Sequence, residues 1–135
     1  MSRFRDEDGM VTAFVTIFVV ALLFVIGLVL DGGYLLAAKQ EAANVAAQAA
    51  RAGAQQLDVD QFRSDSSVDR LDIPAAEAAA EAFLQRVGKE GEAHADEERV
   101  TVTVRIHRKL LILGIAGLGD KTVTGTGEAR GVQGD

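Results

Sequence analysis

Two histidines and a few clustered carboxylates are the residues here whose types suit metal or acid–base chemistry, and their spacing argues against it. His94 stands beside Asp96, Glu97 and Glu98, and Asp58-Val59-Asp60 opens like a calcium loop. Hard cations need oxygen ligands at defined spacing, usually with glycine at the turn, and neither stretch supplies that pattern. A solvated acidic loop accounts for both. Neither His94 nor His107 has a ligand partner four residues on or a nucleophile motif nearby. Gly114 to Gly119 lacks the Lys-Ser/Thr ending of a phosphate cradle. With no cysteine in the chain, disulfides, thiolate metal sites and a cysteine nucleophile are excluded. The residues therefore predict no enzyme, no metal and no cofactor.

What the sequence does supply is an element with lipid chemistry. Met10 to Leu30 is a run of 21 residues without a charge. At about 1.5 Å per residue it spans roughly 31 Å, close to the ~30 Å hydrocarbon thickness of a bilayer. Charges bracket it: Arg3, Arg5, Asp6, Glu7 and Asp8 before, Asp31 directly after. Each would be costly in lipid, so the boundaries are sharp. A cleaved secretory signal is the main rival, but the run exceeds the usual apolar core of such signals and its leading segment carries three acids against two arginines. Arg3 and Arg5 against Lys39 alone weakly favour an N-terminus inside the cell. The expected organisation is a cytoplasmic tail 1–9, a transmembrane helix 10–30, an alanine-rich stalk helix 31–57 and a small extracytoplasmic domain 58–135.

The soluble part must position itself with a thin core. Of the net charge of −6, residues 58–98 contribute −8, with four Lys/Arg against twelve Asp/Glu. Nucleic acid is thereby an unsuitable partner, because neutralising phosphates needs a concentrated basic face. Gly32-Gly33 is either a hinge or part of a helix, since glycine lowers helix propensity without forbidding it. Beyond it, Ala38, Ala42, Ala46, Ala50 and Ala54 recur every fourth residue and form a stripe that admits close approach of another backbone.

Asp58 to Asp72 reads as a polar loop, Pro74 starts a second helix that Gly88 ends, and Lys89 to Glu98 reads as another acidic loop. Arg99 to His107 alternates Val100, Val102, Val104 and Ile106 with polar residues, the pattern of a half-buried strand. A second strand, Lys121 to Val132, has a nearly bare face of Val123, Gly125, Gly127, Ala129 and Gly131. Interior glycines weaken a strand unless something packs closely over them. The alanine stripe is the expected cover. The apolar link Leu110 to Leu118 is too short to cross a bilayer; it reads either as a cap on the core, which we favour, or as a lipid-surface element behind Arg105, His107, Arg108 and Lys109. The fold class is α+β: a long N-terminal helix, a short second helix and a small antiparallel sheet.

Gly9 to Ala54 combines a charged tail ending in Gly, the apolar run, Leu30-Asp31-Gly32-Gly33-Tyr34 and the alanine-rich Ala43 to Ala54. This arrangement resembles the TadE/TadG-like family of Flp-type (tight adherence) pilus assembly proteins, and the two C-terminal strands around a Leu/Gly-rich link are similar too. The resemblance implies a pilin-like fold and a pseudopilin-like or assembly component working with an assembly ATPase, platform proteins and a prepilin peptidase. It implies no catalysis, and it implies homo- or hetero-oligomers with other pilin-like subunits in a cell membrane. Pilin-type processing would cut between Gly9 and Met10; many processed members carry Glu at the fifth position beyond the cut, where this chain has Phe14. The alternative to a filament role is a stand-alone membrane-anchored binding module.

Overall fold

The computed structural model of the chain describes residues 3–56, 72–115, 117 and 119–131, without the side chains of 3–8 and 113. Helix α1 (Arg3–Ala54) runs through the charged tail, the apolar run, Gly32-Gly33 and the alanine stripe. Helix α2 (Ile73–Arg86), strands β1 (Glu90–Ala95) and β2 (Arg99–Lys109), a single helical turn α3 (Ile112–Ile115) and strand β3 (Asp120–Arg130) follow. The three strands form an antiparallel sheet in the order β1-β2-β3. The α+β class is the one the sequence pattern predicts. The polar stretch 58–71, the end of the second strand at Val132, and Leu118 lie outside the described residues.

Local chemistry sets the boundaries. Asp72 caps α2, its carboxylate accepting the Ala75 N–H at 3.2 Å, and Pro74 sits in the first turn, where a missing N–H costs nothing. Gly88 follows the helix with φ +64°, the left-handed conformation that closes a helix end. The next segment departs from the sequence reading: Glu90–Ala95 pairs with β2, Glu90 opposite Arg105 and Ala95 opposite Val100, where an acidic loop was expected. Carboxylates can line this edge strand because they point to solvent and one of them, Glu92, meets Arg105 at 2.9 Å across the pair. The turn after it is fixed by Asp96, whose carboxylate accepts the N–H groups of Glu98 and Arg99, both at 2.9 Å.

The chain divides into two compact units. One comprises Met1–Tyr34 with Lys109–Lys121; the other comprises Leu35–Arg108 with Thr122–Asp135. In the second unit Val100, Val102, Val104 and Ile106 form the buried face of β2, and Ala38, Ala42, Ala46, Ala49, Ala50 and Ala54 of α1 join Ala76, Ala80 and Leu84 of α2 in the same core. In the first unit, Lys109–Lys121 groups with the start of α1 and Leu110 is buried, whereas Leu111 and Ile115 are exposed. The link's single helical turn belongs to the N-terminal unit.

Candidate functional site

Large and small side chains are distributed along α1 in the reverse of what water favours. Between Met10 and Leu30 every Phe, Leu, Ile and Val named among the exposed apolar residues shows roughly half to three quarters of its surface, while Ala38, Ala42, Ala46, Ala49, Ala50 and Ala54 are almost completely covered. Monomeric proteins rarely leave contiguous apolar patches of such size to water. The described residues contain one helix long and apolar enough to cross a membrane. In lipid its exposed side chains are in their preferred solvent and its backbone is satisfied within the helix. Thr16 follows the same rule, its hydroxyl donating to the Thr12 carbonyl at 2.8 Å.

The positions singled out in the sequence are placed as follows. Gly9 and Met10 lie inside α1 and are exposed. Ala38, Ala42, Ala46, Ala50 and Ala54 are all buried. Gly125 and Gly127 of β3 lie directly on this stretch: a Cβ at Gly125 would stand 2.7 Å from the Ala42 Cβ, and one at Gly127 only 2.5 Å from the Ala47 Cα. Such distances admit no side chain, so sheet and helix touch backbone to backbone. Ala129 packs half-buried against the core, and Gly131 lies just past β3, its N–H donating to the Glu98 carbonyl at 2.9 Å. Ala42 and Ala46 of the stripe therefore face β3 of their own chain.

Charged groups fasten the same packing at one end. The Glu41 carboxylate on α1 accepts from Lys89 Nζ at 2.6 Å and from Arg108 at 2.8 Å. The Lys89 hydrogen bond, with the Arg108 guanidinium beside it, holds the Glu41 carboxyl below its usual range despite some desolvation. A lowered folded pKa stabilises the native state above the unfolded value and ceases to do so as pH falls through the folded one. Glu41→Gln is expected to flatten the loss of thermal stability on going from about pH 5 to about pH 3, with a change near neutrality within roughly 1 kcal/mol, because the pair is partly solvated. Melting curves at several pH values check it; parallel pH profiles for both proteins would contradict it.

The histidines have ordinary surroundings. His94 is exposed with its Nδ1 3.6 Å from Glu77, whose carboxylate accepts the Ala95 N–H, and Asp96 is committed to the β1–β2 turn, which holds its carboxyl below the usual range through the Glu98 and Arg99 N–H groups. His107 meets the Thr122 hydroxyl at 2.8 Å.

Sequence reasoning missed Asp31. Read as a boundary charge, it is 1% exposed, and its two carboxylate oxygens accept the N–H groups of Leu111 (3.2 Å) and Ile112 (3.0 Å). The available signal was the cost of an acid adjoining lipid, which demands partners.

The chain is thus an α+β protein in which an exposed helix of membrane-spanning length continues into a small-residue stretch covered by its own sheet. Residues 9–56 match the Flp pilus-assembly TadE/G-like family, Tad. That is the resemblance read from the sequence, and the matched segment covers the apolar run and the alanine stripe. The family is one of assembly components. No curated protein and no solved structure matches the chain.

Proposed function

We propose that this chain is a membrane-anchored, pseudopilin-like component or assembly factor of a Flp/Tad-type pilus or secretion system, acting by helix packing and protein–protein contact. The single observation that carries the reading is the coincidence of the family match with the exposed apolar helix: residues 9–56 contain both the membrane-length run and the helix that the sheet covers. In this reading the N-terminus is cytoplasmic and the domain after Tyr34 extracytoplasmic. With Ala42 and Ala46 of the stripe against β3, contact with other pilin-like subunits falls to the lipid-exposed part of α1. Gly9, Ala13 and Thr16 are small enough there for a second helix to come close.

Deleting the chain in a cell that makes Flp-type pili should abolish or strongly reduce surface pili, and restoring it should recover them. Unchanged piliation would remove the assembly role and leave an anchored binding module. The bond between Gly9 and Met10 is the candidate processing site. Since Phe14 stands where many processed members of the family carry Glu, the intact mass of the membrane-extracted chain is expected to be that of the uncut protein.

A further inference from the structure

Within the N-terminal unit the link after β2 lies against the apolar run. Ile112 occupies the space beside Gly27, where a Cβ would stand 2.5 Å from the Ile112 Cγ1, so glycine at 27 is what lets the link come this close. Gly27 is three residues inside Leu30, about 5 Å of helical rise below the end of the run. Leu23 and Phe24, deeper by about another turn, line an apolar recess of about 360 Å³ together with Ile112 and Ile115. Leu111 and Ile115 nevertheless remain 71% and 87% exposed.

A loop that turns large aliphatic side chains outward beside a lipid-facing helix, at the depth of that helix's own apolar residues, has the same solvent as the helix. Two further features fit lipid. The backbone N–H groups of Leu111 and Ile112, which water could not reach in hydrocarbon, are taken up by the buried Asp31 carboxylate. Lys109 and Lys121, both exposed, flank the segment and carry the charge that suits headgroup phosphates.

We infer that Leu110–Ile115 is a second lipid-embedded element: it dips among the acyl chains of the leaflet at the C-terminal end of the apolar run, places Leu111 and Ile115 in hydrocarbon and is tethered there by Asp31. The inference rests on the reading of Met10–Leu30 as a membrane span, and it adds a monotopic contact to that single crossing. The occupant of the recess lined by Leu23, Phe24, Ile112 and Ile115 is a lipid acyl chain.

The chain has no native cysteine, so single-cysteine variants can be spin-labelled without background. Full-length protein carrying Leu111→Cys or Ile115→Cys is reconstituted in phosphatidylcholine–phosphatidylglycerol vesicles, and collision rates with oxygen and with a polar nickel chelate are compared with those of Phe18→Cys in the span and Glu81→Cys on exposed α2. Labels at 111 and 115 should follow Phe18, with nickel collisions roughly tenfold below those at Glu81, because a polar reagent is excluded from hydrocarbon. Adding Asp31→Ala to Ile115→Cys should raise nickel access severalfold at 115 and leave Phe18 unchanged. Nickel access at 111 and 115 equal to that at Glu81, with Phe18 still protected, overturns the inference and spares the span; nickel access at Phe18 as well overturns both. No effect of Asp31→Ala overturns the tether.

Discussion

Gly127→Val lowers the stability of the folded unit by about 3 kcal/mol or more, the upper range for inserting volume where none exists. The reason is the identity of the atoms met. At Gly127 a Cβ alone would press on the backbone of Ala46 and Ala47. No rotamer change relieves a clash with a helix backbone, so β3 must lift from α1 and open the core of Val100, Val102 and Val104. For a unit of this size the thermal midpoint should fall by more than about 10 °C. Trimming Ala46 or Ala47 to glycine should not rescue the variant, because the obstruction is main chain. Gly33→Ala is the control: nothing stands within 4 Å of a Cβ there, and the better helix former should be neutral or slightly stabilising. Circular dichroism of the full chain in detergent micelles measures both, and an unchanged midpoint for Gly127→Val would contradict the close packing.

The second large effect concerns the span. Fifteen of the 21 residues from Met10 to Leu30 are Val, Ile, Leu or Phe, and at about 0.3–0.6 kcal/mol each they favour insertion by roughly 4–9 kcal/mol. An arginine near the centre of such a helix costs about 2.5–3.5 kcal/mol. Val19→Arg alone should therefore still insert. Val19→Arg with Leu22→Arg cancels most of the driving force, and adding Phe18→Arg should leave the chain largely unintegrated. Integration that falls in this stepwise manner, read by membrane fractionation of the three variants, is the expected result; a triple variant distributed like the parent would show that lipid is not what this segment requires.

Both effects arise from features that were legible in different degrees. The membrane run is readable because its signal is length without charge, which needs no partner to interpret. The valine alternation of β2 is equally plain, since a period of two over Val100 to Ile106 leaves one face for a core. The glycines of β3 were readable only by pairing two oddities, a bare strand face and a bare helix stripe. What was not legible depended on contacts distant in sequence. The acidic segment Glu90–Ala95 has no strand pattern of its own and becomes a strand because β2 offers an edge; Glu92 finds Arg105 only after pairing. The alanine stripe does not announce in sequence that Ala42 and Ala46 meet Gly125 and Gly127 of β3. Asp31, eighty residues before Leu111, looked like a boundary because its partners are backbone groups that no side-chain pattern announces. The same holds for Glu41, which depends on Lys89 and Arg108.

The most direct test of the account as a whole is alkaline carbonate extraction of membranes from cells expressing the full chain, followed by intact mass measurement of the retained protein. Integral behaviour predicts that the protein stays in the membrane pellet with residues 10–30 still attached. Release of a folded, water-soluble protein that retains those residues would contradict the claim that lipid is their solvent.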